Sequence, residues 1–346
     1  MIAALRAALL AGAVMVAGHA NAETTFDILK FQDLDGWADD DHAASLSVFL
    51  NTCQDLKEPD WAALCGVAQS YKLESARSFF ELFFRPVLIR DGNDAMFTGY
   101  FEPELNGSRH PTDRFRYPVY KMPPEAQSAN PWRTRRDLLT SGVMDNRGLE
   151  IAWVDDPVEL FFLQIQGSGR VRLPDGRMLR VGYGGANGHA YRSIGVELVR
   201  RGIFAAHQVS AQVIKNWVRR NPEAGKNLLF HNQSYVFFRE LRHVTMDKGP
   251  LGAMNRSITA MRSIAVDPSF TPLGAPVWIE KDGAGKLRRL MIAQDTGSAI
   301  KGAQRADIFY GTGDAAGQAA GRLRDPGRMM VLLPIQRAYA LNPDGA

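Results

Sequence analysis

The chain has 346 residues, 45% of them hydrophobic, with 41 Lys and Arg against 37 Asp and Glu and a formal net charge of +4. That length and apolar content supply one large domain or two modest ones, each with its own core. Charges of both signs are interspersed, which excludes a disordered chain, and no Lys/Arg run interleaved with aromatics supports a nucleic-acid partner. The mild basic excess, a pI near 9.1, suits an acidic polymer as well as ordinary solubility.

The N-terminus reads as an export signal. Arg6 is the one early charge, Ala7–Gly18 is a run of apolar and small residues, and Ala20-Asn21-Ala22 is a small-x-small cleavage site. Residues 1–22 are therefore assigned as a cleaved signal peptide, with the mature chain starting at Glu23. The run is too short and too rich in Ala and Gly for a membrane span, and with no Cys beside the cleavage site a stable membrane anchor is not expected. In an exported chain the cysteine pair, Cys53 and Cys65, suggests a disulfide. Two thiols, 7 scattered His and no HExxH pattern argue against a structural zinc site.

The first part of the mature chain predicts helices. Asp39–Asp41 offer N-caps for a helix through Ser45–Asn51, and Pro59 opens a second over Asp60–Ser70. Ala76, Phe79, Phe80, Phe83 and Phe84 recur at helical spacing, a core-facing stripe ended by Pro86. Strands follow: Phe97–Pro103, Tyr117–Lys121, Ile151–Val154 and Phe161–Gln166. Next comes a hairpin with arms Gly169–Leu173 and Arg177–Val181 and a two-residue Asp175-Gly176 turn. Helices are predicted over His189–Arg201, closed by Gly202, and over Ser210–Arg219. From Tyr235–Arg239 a last block of strands runs to about Pro334. Helices, then strands with inserted helices, then strands again predict a β-rich, two-lobed protein rather than an alternating α/β sheet.

Three groups of residues carry candidate chemistry. Asp295 and Asp307 stand at strand ends around a Gly- and Ser-bearing loop with Lys301, and Asp267 lies upstream. A carboxylate at such a position costs free energy unless it is hydrogen-bonded or employed, and burial or a neighbouring carboxylate raises its pKa into the range of an acid catalyst. Predicted as a strand, Gln164-Ile165-Gln166 puts two amides on one face, able to pair with sugar hydroxyls and N-acetyl groups, beside Gly167-Ser168-Gly169. Tyr183–Ser193 is a glycine-rich loop with Asn187, His189 and Tyr191, but no Gly-Lys-Ser/Thr follows, so it is not a phosphate loop. Rings at Tyr100, Phe101, Tyr183, Tyr191 and Tyr235 suit a saccharide groove, where sugar faces pack on aromatic side chains, or else core packing.

Several long blocks in order carry a resemblance: FTGYFEPELNGSR, YPVYKMP, FFLQIQGSGRVRLPDG, YGGANGHAYRSIG, QSYVFFRE, AVDPSFTPLG and IAQDTGSAIKGAQRADIFYGTG. From about Thr98 to Gly313 the chain resembles the membrane-bound lytic murein transglycosylase A family. The resemblance implies a mainly β fold: a double-psi β-barrel domain packed by the N-terminal helices, and a smaller β-rich insertion across a groove. Residues 23–103 and 234–346 would form the barrel domain, and residues 104–233 the insertion. The C-terminal part looks like a 3D domain, named for three aspartates, here Asp267, Asp295 and Asp307.

It further implies cleavage of the β-1,4 bond between N-acetylmuramic acid and N-acetylglucosamine in peptidoglycan strands, leaving 1,6-anhydromuramic acid ends. Asp307 would be acid and then base, with Asp295 and Asp267 orienting groups or tuning it. Thr98, Tyr100, Gln164, Gln166, Ser168, Tyr183, Asn187, His189 and Lys301 would bind sugar. No metal or organic cofactor is called for. Unlike the family's lipoproteins, the chain lacks a lipid-acceptor Cys, which implies a periplasmic location. Two alternatives stand beside this reading: a glycan hydrolase pairing Asp307 with Asp295, and a non-catalytic wall-binding protein.

Overall fold

A computed structural model describes residues 23–342; the signal peptide assigned to residues 1–22 lies outside the described residues. Two sheets organise the chain. The first begins with β1 (Thr25–Ile28), β2 (Phe84–Arg90) and β3 (Met96–Glu102). The chain then leaves it at Pro103 to build a second sheet from β4 (Glu104–Ser108), β5 (Tyr117–Tyr120), β6 (Glu150–Val154), β7 (Gly169–Arg172), β8 (Met178–Ala186) and β9 (Val236–Glu240). It returns with β10 (Ser263–Val266), β11 (Pro276–Lys281), β12 (Leu287–Thr296), β13 (Arg305–Thr312), β14 (Arg324–Asp325) and β15 (Gly327–Pro334).

The first sheet runs β1-β2-β15-β11-β12-β10-β13-β3-β14, and the second β5-β6-β4-β7-β8-β9. In the first, β10 lies parallel to β12 and antiparallel to β13, which in turn is parallel to β3. These crossed pairings between strands distant in sequence give a barrel-type sheet, paired as an open ladder of nine strands.

The N-terminal helices close one face of that sheet. Asp41 caps His42–Thr52 by accepting from Ala44 N, and Pro59 starts Pro59–Ala68. Arg262, ion-paired to Asp40, donates to Ser45 Oγ and Leu290 O, tying the first helix to β12. Cys53 and Cys65 are disulfide-bonded between the two helices. The Phe stripe packs as expected, with Phe79, Phe80 and Phe84 buried against Phe49 and Trp61. Burying each such ring contributes about 2–3 kcal/mol.

Several elements differ from expectation. The third helix ends at Phe83, and Phe84 already starts β2, so the stripe crosses from helix to strand before Pro86. Residues 157–166 form a helix, not a strand. Asp156 caps it by accepting from Val158 N, Pro157 takes the first helical position, and Gly167 ends it with φ 78°. Its apolar run faces protein on most sides, so the helical period was hidden. The helix expected from His189 begins only at Ile194, where Ser193 accepts from Val196 N. The hairpin turn has three residues, Pro174-Asp175-Gly176, since Leu173 pairs with Arg177 across it and Gly176 takes φ 83°. Helices at Pro222–His231, Gly313–Ala320 and Ile335–Leu341 and the strand β1 escaped prediction. Among the described residues, no helix is long and apolar enough to cross a membrane.

Glu102, the last residue of β3, pins the two sheets together. It is fully buried and accepts from Arg170 Nε on β7, Arg180 Nη2 on β8 and Thr312 Oγ1 on β13, each at 2.8 Å. A charge so deeply buried is tolerable only when paired and hydrogen-bonded on all sides. Gln166 adds a second link, its Oε1 accepting from Phe101 N at 3.0 Å.

Candidate active site

Register brings the aspartates together. Asp307 on β13 pairs with Thr98 on β3 at one side and with Ala265 on β10 at the other, and Ala265 pairs in turn with Asp295 on β12. Residues paired across adjacent strands share a face, so Thr98, Asp307, Ala265 and Asp295 form one row across four strands. The opposite face holds Phe97, Ile264, Val266, Ala293, Ala306 and Ile308 in the interior of the sheet.

Asp295 reaches this row through a bulge. Ile264 pairs with Ala293 and Ala265 with Asp295, so Gln294 is the extra residue on β12. Without it Gln294 would face the site and Asp295 the apolar interior, because one residue of slip inverts a strand. Gln294 is itself buried, accepting from Ser263 Oγ.

The two carboxylates are held differently. Asp307 is half-buried, and its Oδ1 accepts a 2.6 Å hydrogen bond from Thr98 Oγ1. Burial raises its pKa above the ordinary carboxylate value; the Thr98 bond and the Arg305 charge offset this only in part. Asp295 accepts from Ala253 N and Thr296 N at Oδ1 and from the Tyr100 hydroxyl at Oδ2, at 2.9, 2.9 and 3.0 Å. Burial still pushes it up to about 6, against those bonds and with a contribution from the charge of Asp307.

Asp267 belongs to a different environment. Its Oδ1 accepts from Ser269 N and its Oδ2 from Gly302 N, clamping the loop between β12 and β13. Burial pushes its pKa up, but the bonds from Gly302 and Ser269 and the charge of Lys301 outweigh it and hold it below the usual range. Lys301 is exposed, its Nζ 3.7 Å from Asp267 Oδ1.

A groove of about 530 Å³ runs along the seam between the sheets. Gln164, Gln166, Ser168, Tyr183 and His189 line it from one side and Asp295 from the other, while Asp307 lies beyond it, two strands further along the row. Gln164 and Gln166 share a helix end rather than a strand face. Gln164 is buried, accepting from Arg135 Nη1, whereas Gln166 bonds to Phe101 N. His189 Nε2 donates to Trp132 O at 2.8 Å. Asn187 is fully buried and away from the groove. Its amide donates to Arg133 O and Gln233 O and accepts from Tyr235 N, so it fastens three segments together. Of the rings, Tyr191 lines the groove, while Tyr235 packs in a core with Phe237.

Sequence reasoning missed Arg135, Arg239 and the loop from Leu251 to Asn255, all on the groove wall. Arg135 is buried between the rings of Phe161 and Tyr235, its charge spread over Asn232 O, Ser234 O and Gln164. Nothing local in the sequence signals it, since its ring partners lie 26 and 100 residues further along the chain. Arg305, behind Thr98, was also missed, although it stands two residues before Asp307 and so on the same strand face.

These features define a class: a mainly β protein in which an inserted sheet and a barrel-type sheet enclose a polar groove beside carboxyl groups of raised pKa. Residues 96–239 match the family model of the MltA specific insert domain, and residues 262–333 that of the 3D domain. A membrane-bound lytic murein transglycosylase A of Vibrio cholerae is 35% identical over 270 residues, covering 74% of this chain and 70% of that protein. The crystal structure of a membrane-bound lytic murein transglycosylase from Agrobacterium tumefaciens matches with a TM-score of 0.81 at 32% identity, over 92% of this chain and 100% of that one. The structure of E. coli MltA with bound chitohexaose matches with a TM-score of 0.72 at 26% identity, over 89% and 94% of the two chains. The chain belongs to the membrane-bound lytic murein transglycosylase A family.

Proposed function

We propose that the protein is a peptidoglycan lytic transglycosylase that cleaves the β-1,4 bond between N-acetylmuramic acid and N-acetylglucosamine with Asp307 as acid and then base. The enzyme class follows from family membership. The observation that carries the finer reading is the state of Asp307: a carboxyl of raised pKa with one oxygen held by Thr98 and the other without a hydrogen-bond partner among the described residues. Such a group is protonated more readily than an ordinary aspartate and has one oxygen to spare.

In the first step the Asp307 proton passes to the glycosidic oxygen as its bond to muramic acid C1 breaks. The resulting carboxylate takes the proton of the C6 hydroxyl while that oxygen bonds to C1, closing the 1,6-anhydro ring. The nucleophile is part of the substrate, so no water and no second catalytic carboxylate are required. Asp295, at the other end of the row, is fixed by Tyr100 and two backbone N–H groups and feels the charge of Asp307. A glycan lying in the groove would pass Gln166, Ser168, Tyr183 and Asp295 before reaching Asp307. That E. coli MltA binds chitohexaose supports a chain of N-acetylated sugars as ligand. Residues 104–233 would act as the sugar-gripping insertion, and the N-terminal signal would deliver the mature protein to the periplasm.

A second reading has an observation of its own. Asp295 shares the face of Asp307 and has a raised pKa, which suits an acid and base pair activating water. Digestion of purified peptidoglycan in oxygen-18 water separates the two. The transglycosylase leaves no label in the products; the hydrolase labels every new reducing end.

A further inference from the structure

We propose that Arg305 and Thr98 form a one-directional hydrogen-bond relay that confines the acid proton of Asp307 to its Oδ2, making Arg305 a positioning residue for the reaction. The proposal rests on the reading of Asp307 as the acid.

Arg305 and Asp307 stand two residues apart on β13 and so share a face. The guanidinium is buried, its residue 8% exposed. Nη1 donates to Met96 O and Ala306 O at 3.1 and 2.7 Å, which fixes the plane of the group, and Nη2 donates to Thr98 Oγ1 at 2.8 Å. Guanidinium nitrogens only donate, so the Thr98 oxygen is the acceptor in that contact. The one hydroxyl hydrogen of Thr98 is thereby aimed at its other neighbour, Asp307 Oδ1, at 2.6 Å. No further acceptor contacts the Thr98 hydroxyl among the described residues.

The chain of donors therefore has one direction, from Arg305 to Thr98 to Asp307 Oδ1. A proton on Oδ1 would face the Thr98 hydrogen head-on across 2.6 Å. The proton of the neutral acid goes instead to Oδ2. The same donor stabilises the carboxylate once that proton has left, so the relay serves both halves of the reaction. Arg305 Nε is buried without a partner. A shorter or less polar side chain would avoid that cost, so packing alone does not account for a guanidinium here.

The other charged and titratable groups around the row are Asp295 across Ala265, Tyr100 beside Asp295, and Arg324 on β14, which pairs with Thr98 on β3. Their positions do not depend on the Thr98 hydroxyl, so replacing it isolates the relay.

The test is a carbon-13 titration of the Asp307 carboxyl, assigned by its loss in Asp307→Asn, in the parent and in Thr98→Val, Thr98→Ser and Arg305→Met, with kcat and KM measured on peptidoglycan. In Thr98→Val and Arg305→Met the carboxyl midpoint should rise by about one pH unit, since each removes a group favouring the ionised form. kcat should fall about 10- to 100-fold with KM within about twofold, and Thr98→Ser should restore both. An unchanged midpoint in folded Thr98→Val, or a Thr98→Ser variant that behaves like Thr98→Val, overturns the relay. Should Arg305→Met fail to fold, the two Thr98 variants decide. Full activity of Asp307→Asn would instead overturn the assignment of the acid, and the titration would still test the relay.

Discussion

Asp295 and Asp307 flank a single alanine. Ala265 pairs with Asp295 on one side and Asp307 on the other, so its methyl group is all that the backbone sets between the two carboxylates on their shared face. Two strand spacings separate the aspartate backbones by about 10 Å, and their side chains interact across that gap, as the effect of Asp307 on Asp295 records. Ala265 is 4% exposed, so a larger side chain has no free space to enter. Ala265→Val should cost about 1–3 kcal/mol by overpacking and lower kcat by pushing the carboxylates apart. Thermal unfolding and turnover of that variant check both effects.

Activity should fall as pH rises through the raised pKa of Asp307, because the reaction starts from the protonated acid. A pH–rate profile that stays flat from mildly acidic to alkaline conditions contradicts that role.

The aspartates should also mark stability with opposite signs. Asp295 binds its proton more tightly in the folded state, at about 6 against an ordinary carboxyl value of 3.8. Its favourable contribution is complete below the unfolded value and is lost as pH rises through about 6. Asp295→Asn should therefore stabilise the protein near pH 8, by about 1–3 kcal/mol, and give no gain near pH 3. Asp267 is held below its usual range, so it stabilises above the unfolded value and loses that contribution as pH falls. Asp267→Asn should then destabilise at neutral pH and matter little in acid. Chemical denaturation of both variants across pH reads the two slopes.

Glu102 carries the seam. Removing its charge in Glu102→Gln leaves Arg180 buried without a counter-ion, and such a break costs about 3–5 kcal/mol. The loss should appear as a lower unfolding midpoint. Replacing Cys53 and Cys65 by Ala, which opens a link of sequence separation 12, should cost about 2–4 kcal/mol, with activity kept in the folded fraction.

Much of this was legible in the chain. The Phe79–Phe80 stripe, the Asp41 and Pro59 helix starts and the Gly202 helix stop follow local rules that the structure repeats. The two-lobed, mainly β order was readable for the same reason. The helix at residues 157–166 was misread because an apolar run buried on most sides has no visible period, although Asp156-Pro157 and Gly167 were signals of its ends. The row of Thr98, Asp307, Ala265 and Asp295 could not be read locally. It depends on pairings between residues up to 209 positions apart and on one bulge at Gln294. Asn187, in a loop that looked like a binding loop, proved to be a buried brace, since its amide suits three backbone groups as well as it would suit a sugar.

The most direct test is mass spectrometry of muropeptides released from purified peptidoglycan by the protein, beside folded Asp307→Asn. Products ending in 1,6-anhydromuramic acid from the parent, with none from the variant, are the predicted result. Reducing-end products from the parent, or anhydro products from Asp307→Asn at the parent's rate, would contradict Asp307 as the acid and base of a lytic transglycosylase.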